Sequence, residues 1–453
     1  MLKNMAFLIC VVLVAALRLP AQAVRAVEPD SRMKADILLI VPHPDDETAV
    51  GSYLAKTVCD LGKRVAIIYC NRGTGGGNSA GGEQSVALGQ IREIEARRAV
   101  ATLGITNVWF LNGRDTPGQD LFQSLEAWHH GAVLEDVVRL VRLTRPEVIL
   151  TWLPHVVAGE DHGDHQASGV IAVEAFDCAG DPTVFPAQVA PPRERGDIAQ
   201  ANEGLRPWQP KKIYFFSDAT REVKAVGPRF DINDVSPSKH EPYFKLAAAL
   251  HLPHLTQADV SQSAIDAGKS GNYAPFTAWL GKIHLIFGKS VVPASPAGDV
   301  FEGIGIPPVP YVRPPGYAPA RRPGVTIALG EQFAFYRDFW RAHGIENIAG
   351  IVPDEIEASA GSYLFVPLVI HNGTGDSVTV DITSALPEGW KEAAGSGAYR
   401  IGPGVDLPVQ AFVRAPAAAA ANVAPVTWKA SVNGKPAGSA TLGVTLVDWA
   451  LPW

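Results

Sequence analysis

Between residues 35 and 175, short and almost wholly apolar runs alternate with longer stretches of helical periodicity. This alternation restricts the fold more than any other feature of the chain. Ile37–Val41, Arg64–Tyr69, Asn107–Leu111 and Glu147–Trp152 read as strands, and Asp46–Leu61, Gln84–Leu103, Leu134–Thr144 and His165–Phe176 read as helices. Strands that lack polar alternation have no face to give to water, so both of their faces must be covered. Helices between consecutive strands supply that cover and let the strands run parallel. The pattern therefore predicts an α/β fold with a mostly parallel sheet and helices on both faces. In such folds ligands gather beyond the carboxyl ends of the strands.

The remainder of the chain follows other rules. Residues 180–210 are rich in Pro and Arg and read as an irregular excursion. Lys212–Phe216 reads as a further strand, Tyr243–His251 as a helix, 291–325 as a long Pro- and Gly-rich loop, and Glu331–His343 as an aromatic-rich helix. Near residue 350 the pattern becomes strict two-residue alternation, as in Ser377–Ile382 and Val426–Val432, and the latter runs into the hairpin turn Asn433-Gly434. Thr441–Val447 reads as a last strand. Several short alternating strands predict a C-terminal β-sandwich of Ig-like kind. At 453 residues two domains are the natural expectation. They are placed at 30–348, including an extended 180–345 region, and at 350–453.

The first 23 residues read as a signal peptide. Lys3 opens the segment, Met5–Leu17 is apolar, and Ala21-Gln22-Ala23 has the small-x-small form of a cleavage site. The apolar stretch is short for a membrane span, so no integral span is expected once it is removed, and a periplasmic or extracellular location follows. The net charge is −7, and no basic block stands out, which argues against a nucleic-acid partner. Cys59, Cys70 and Cys178 fit no zinc spacing, and their sequence positions leave buried thiols and one disulfide equally open.

Chemistry concentrates in two clusters, each at the end of an expected strand. His43-Pro44-Asp45-Asp46-Glu47 follows the first, and His162-Gly163-Asp164-His165 lies a few residues beyond the fourth. His43, Asp46 and His165 can supply three N/O ligands with a fourth position open, the pattern of catalytic Zn2+, though another divalent transition metal could occupy it. Asp45 need not ligate and is placed to act as general base toward a bound water. His162, if protonated, could stabilise an oxyanion or protonate a leaving amine, with Asp164 holding its imidazolium. Glu47 receives no catalytic role. The glycine-rich stretch Gly73–Gly77 lacks a following Gly-Lys-Ser/Thr, so it reads as a mobile lip over the site rather than a phosphate loop. Trp109, Trp128 and Trp152 read as core residues.

These residues resemble a known signature. His43–Glu47 after a buried strand is similar to the Ala-His-Pro-Asp-Asp-Glu motif of PIG-L/LmbE-like deacetylases, with Pro42 in the place of Ala. His162–His165 resembles that family's His-Pro-Asp-His, with Gly163 in the place of Pro. Gly82-Glu83, Arg92-x-x-Glu95-x-x-x-Ala99, Leu103-Gly104-Ile105 and Asn112-Gly113-Arg114-Asp115 resemble the family's middle blocks in order and spacing. The resemblance implies a Rossmann-like, zinc-dependent hydrolase that removes acetyl from N-acetylglucosamine-type substrates. It assigns His43, Asp46 and His165 to the metal, Asp45 to general base, and His162 to oxyanion stabilisation with Asp164 behind it. It also implies that Arg92 and Asp115 contact sugar hydroxyls.

The reading is an exported metal-dependent N-deacetylase acting on an N-acetylated sugar or glycoconjugate, with glycan contact by the C-terminal domain as a further expectation. Two alternatives compete with it. One is an amidase for a non-sugar amide or thiol conjugate. The other is a carbohydrate-binding surface protein whose first domain is inactive. Pro42 and Gly163, the two departures from the signature, are where a change of substrate is expected.

Overall fold

The computed structural model describes residues 29–190, 205–219, 223–257, most of 266–309, 311–312 and 323–452. The segment expected to be a signal peptide, with Cys10 in it, lies outside the described residues. The first sheet contains β1 Ile37–Val41, β2 Val65–Tyr69, β3 Asn107–Phe110, β4 Val148–Trp152, β5 Lys212–Phe216 and β6 Ile286–Ser290. Its order is β3-β2-β1-β4-β5-β6, parallel throughout except for β6, which runs antiparallel to β5.

Burial explains the unbroken apolar strands. In β1, Leu38 and Ile40 enter one core, while Ile37, Leu39 and Val41 enter another on the opposite face of the sheet. The first core is covered by α3 Leu121–Ala127, α4 His130–Thr144 and α5 Gly163–Cys178. The second is covered by α1 Gly51–Ala55, α2 Ser85–Ala101 and α6 Tyr243–His251. The single helix expected over 46–61 is instead a 3-10 turn, the short α1 and a π turn in succession. Gly51 lets α6 approach closely here, since a Cβ at that position would lie 2.9 Å from Leu250 Cδ2.

The strand order reverses direction between β1 and β4, which are neighbours in the sheet. The loops leaving their carboxyl ends therefore splay to opposite sides and open a crevice. The first sequence cluster leaves β1, and the second follows β4. The fold thus brings together residues separated by more than 110 positions.

Two further sheets occupy the C-terminal part. One has the order β12-β10-β14-β15-β8, with β8 Glu355–Ser359, β10 Val378–Ala385, β12 Gly397–Ile401, β14 Ala420–Val432 and β15 Lys435–Val447. The other has the order β11-β13-β9-β7, with β7 Val325–Leu329, β9 Tyr363–Asn372, β11 Lys391–Ala394 and β13 Asp406–Arg414. Val366, Leu368, Ala411 and Val413 from the second sheet share a core with Val380, Trp428, Leu442 and Val444 from the first, consistent with the expected sandwich. The β14–β15 turn has Asn433 at φ 50° and Gly434 at φ 74°, the left-handed pair that an Asn-Gly hairpin requires. β7 lies upstream of residue 350, yet it pairs along its length with β9. The chain therefore enters this module, returns through α7 Glu331–His343 to pack on the first core, and enters the module again.

Candidate active site

The loop after β1 carries His43, Asp45, Asp46 and Glu47. The start of α5 carries His162, Asp164 and His165. His43, Asp45, Asp46, His162 and His165 meet in a cavity of about 380 Å³ lined also by Gly76, Gly77, Arg92, Asp115, Trp152 and His251, with Glu47 and Asp164 buried behind it. His43 Nδ1 lies 3.1 Å from His165 Nε2 and 3.7 Å from Asp46 Oδ2, and His165 Nε2 lies 3.1 Å from Asp46 Oδ1. Ligands at tetrahedral zinc, bonded at about 2.0–2.1 Å, stand about 3.4 Å apart, so this spacing fits a single ion.

The outer ring nitrogens support that fit. His165 Nδ1 lies 2.6 Å from the Gly159 carbonyl, to which it donates, leaving Nε2 with its lone pair toward the site. His43 Nε2 faces the carboxylates of Asp164 at 3.3 Å and Asp115 at 3.4 Å, leaving Nδ1 inward. An imidazole whose far nitrogen is held by a carbonyl or carboxylate is the usual support of a metal-binding histidine. Trp152 stacks on the His165 ring, with centroids 4.5 Å apart, and fixes its plane.

The electrostatics demand positive charge. Burial opposes ionisation of His43, but Asp115 and Asp164 outweigh it and raise His43 well above 6.5. Burial likewise opposes charge on His165, and Asp46 raises it nonetheless. Asp46 in turn is held below the usual carboxylate range, where the two imidazoles outweigh its burial. Two imidazoles and a carboxylate suit zinc or another divalent transition ion better than magnesium or calcium.

Asp45 sits at φ 124°, a backbone region that L residues rarely adopt. Its N–H donates to Glu47 Oε2 at 3.1 Å. Glu47 is fully buried and also accepts from Tyr69 Oη at 2.7 Å, while His254 Nε2 lies 2.7 Å from its other oxygen. Glu47 thus holds the turn that presents Asp45 to the cavity.

Asp164, expected behind His162, has further partners. Its carboxylate accepts from Asn71 Nδ2 at 3.0 Å, Thr116 N at 3.2 Å and Thr116 Oγ1 at 2.5 Å, stands 3.3 Å from His43 Nε2, and lies within 4.8 Å of a His162 ring nitrogen. The bond between residues 162 and 164 runs the other way: the Asp164 N–H donates to His162 Nδ1 at 3.1 Å. His162 is the N-cap of α5, and capping claims that nitrogen. With Nδ1 accepting, the hydrogen of the neutral ring resides on Nε2. Burial, followed by the neighbouring His43 and His165, pushes His162 down to about 3, so it is a neutral donor rather than the imidazolium expected from sequence.

Arg92 lines the cavity, and its guanidinium donates to the carbonyls of Gly73 at 2.6 Å and Gly77 at 2.8 Å. Asp115 Oδ2 accepts from Gly75 N at 2.8 Å. The loop expected to be a mobile lip is therefore tied at three points. Gly76 packs against the Arg92 guanidinium, which a Cβ there would approach to 2.6 Å and displace. Among the described residues, Cys59, Cys70 and Cys178 form no disulfide. Trp128 and Trp152 are core residues, as expected, and Trp152 also forms part of the cavity wall.

Sequence reasoning missed the end of α6 and the segment that follows it. His251 and Gln257 line the cavity, His254 contacts Glu47, and Thr256 Oγ1 donates to Glu95 at 2.6 Å. Gln257 Nε2 donates to the Pro44 carbonyl. Two histidines and a glutamine within seven residues behind a helix were the available signal.

Gly163 does not face the cavity. Its N–H donates to Gly118 O at 2.8 Å, and a Cβ there would lie 2.6 Å from Asp120 O. Pro42 is buried, and its carbonyl accepts from Asn71 N at 3.0 Å. Both departures from the signature are thus occupied with backbone packing.

A family model described as PIG-L, GlcNAc-PI de-N-acetylase, matches residues 38–176. A 1D-myo-inositol 2-acetamido-2-deoxy-alpha-D-glucopyranoside deacetylase of Frankia alni is 32% identical over 188 residues, covering 38% of this chain and 59% of the relative. The corresponding deacetylase of Streptomyces scabiei is 27% identical over 273 residues, covering 56% of this chain and 78% of the relative. Diacetylchitobiose deacetylase of Thermococcus kodakarensis is 30% identical over 160 residues, covering 34% and 54%. The chain thus spans between about half and four-fifths of the length of these relatives.

Proposed function

We propose, from the premise that residues 38–176 belong to the PIG-L family of de-N-acetylases, that this protein is a zinc-dependent deacetylase of an N-acetylated amino sugar or its conjugate. The observation that carries the reading is the meeting of His43 Nδ1, Asp46 and His165 Nε2 at one point, with Asp45 and His162 lining the same cavity. These three side chains would hold the ion, which supplies Lewis acidity toward the acetyl carbonyl and toward water.

The chain's own residues supply the remaining chemistry. The Asp45 carboxylate takes a proton from the attacking water. The His162 Nε2–H donates a hydrogen bond to the carbonyl oxygen as that oxygen gains charge. Protonated Asp45 then returns its proton to the departing amine, so the amide and water become acetate and a free amino sugar. Asp164 acts on His43, fixing the ring through Nε2, and the Thr116 and Asn71 donors keep its carboxylate in place. Asp115, 3.4 Å from His43, and Arg92 stand at the wall where sugar hydroxyls would bind. The segment at 1–23 supports placing this activity outside the cytoplasm.

The test is acetate release over a panel of N-acetylglucosamine conjugates and acyl amino acids, with elemental analysis of the same preparation. Release from acyl amino acids alone would favour the non-sugar amidase. Release from neither class would overturn the reading.

A further inference from the structure

We infer that the β-module is part of the active-site scaffold, and that Gln119 is the positioning residue through which the segment after β15 holds the catalytic end of α5. Gln119 is 1% exposed and lies between the two bodies. All of its donors go to the module. Its backbone N–H donates to Pro452 O at 2.9 Å, and its Nε2 donates to Leu451 O at 2.7 Å and to Glu357 O, in β8, at 3.0 Å. The 450–452 segment is itself tethered, since Ala450 N donates to Ser359 Oγ at 2.9 Å.

The acceptors on the same stretch face the other way. Gly118 O receives the Gly163 N–H at 2.8 Å, and Gln119 O receives Gln166 Nε2 at 3.0 Å. Both donors belong to the first turn of α5, which carries His162 at its cap, Asp164 and His165. Three residues upstream, Thr116 makes two hydrogen bonds to Asp164, and Asp115 faces His43. The 115–119 loop therefore has catalytic partners on one side and module partners on the other.

Gly163 is a second, independent observation. A proline there would lack the N–H that Gly118 accepts, and any Cβ would meet Asp120 O at 2.6 Å and Ser124 Oγ at 2.8 Å. The residue at 163 is thus fitted to a loop pressed close against the helix start. Gly118 completes the fit, because a Cβ there would stand 3.2 Å from Pro452 O.

The inference concerns positioning of the site in the proposed deacetylase and rests on that reading for its kinetic arm only. The variants are Gln119→Leu, a chain ended after Ala450, and the two combined, each otherwise full-length. Hydrogen exchange is measured in peptides covering 114–121 and 158–167, together with acetate release and bound zinc. The expected result is faster exchange in both peptides and a fall in kcat of about tenfold, the low end of what loss of outer-shell support costs. KM should stay within about twofold, and the combined variant should be no worse than the poorer single one, because all remove the same link. Unchanged exchange at 158–167, or faster exchange with unchanged kcat, would overturn it. If the intact chain releases no acetate, the deacetylase reading fails, and exchange at 158–167 alone decides this inference.

Discussion

Replacing Glu47 separates two accounts of the site: whether its buried carboxylate is a spectator or holds Asp45 in place. The side chain is inaccessible and receives hydrogen bonds from Asp45 N, Tyr69 Oη and His254. Glu47→Leu removes that acceptor from all three, and Tyr69 Oη and His254 are buried. Each orphaned group costs about 1–3 kcal/mol. Part of this is returned because a carboxylate no longer has to be desolvated, so the net loss is about 3–5 kcal/mol. Glu47→Gln behaves differently. The amide oxygen can take the place of Oε2 and keep Asp45 N and Tyr69, while the amide NH2 donates to His254 in its other tautomer. That exchange costs about 1 kcal/mol. The assay is urea unfolding followed by tryptophan fluorescence, with acetate release measured in native buffer. Activity should follow the same order, because Asp45 at φ 124° relaxes once its N–H loses its acceptor. Equal destabilisation by Leu and Gln, or a Leu variant that loses less than about 1 kcal/mol, would refute the reasoning.

Other expectations follow from the same geometry. Asp45→Asn should lower kcat by about 10²–10⁴-fold with zinc content unchanged, since the base is lost and the ligands are not; loss of zinc would make Asp45 a ligand. A strong chelator should abolish acetate release and lower the melting temperature, and added zinc should restore both, because an ion that binds only the folded chain stabilises it. Burial, together with His254, depresses His251 to about 3. The unfolded chain therefore takes up a proton at this residue first, and stability is full above about pH 6.5 and declines as pH falls toward the folded value. His251→Asn should flatten the slope of unfolding free energy between those limits, and an unchanged slope would show that His251 does not titrate on unfolding. Gly163→Pro should destabilise the fold and raise exchange across 114–121.

The features legible in the sequence are those set by local pattern. Uninterrupted apolar strands such as Ile37–Val41 have both faces buried, and the Asn433-Gly434 turn forms where its φ requirement placed it. The meeting of His43 with His165 was legible because parallel sheets place the ends of β1 and β4 side by side. The strand Val325–Leu329, between the expected loop at 291–325 and the helix from Glu331, was not read, because its partner, β9, lies downstream of the apparent boundary. The histidines of the 251–257 segment were hidden for a similar reason. Their role depends on Gly51 admitting α6 against α1, a contact that no local period encodes. The contact of Asp164 with His43 was not legible because sequence adjacency pointed only to His162, whereas helix capping turns the His162 Nδ1 toward the backbone N–H of Asp164.

Gly163 shows how such an error arises and what corrects it. A departure from a catalytic signature invites a reading in terms of substrate, because the neighbouring residues perform chemistry. Here the altered position points away from the cavity and into the 118–124 stretch. What differs is the environment of the helix start: a loop held by the β-module presses on it closely enough to exclude a side chain and to require an N–H. On this view the glycine records the module, not the substrate. A domain whose first helical turn after the fourth strand rests on a second body need not keep proline to fix that turn, because Gly118, Gln119 and Thr116 fix it from outside. Specificity would then be sought at the cavity wall, where His251, Gln257, Glu160 and Asp218 stand beside Arg92 and Asp115.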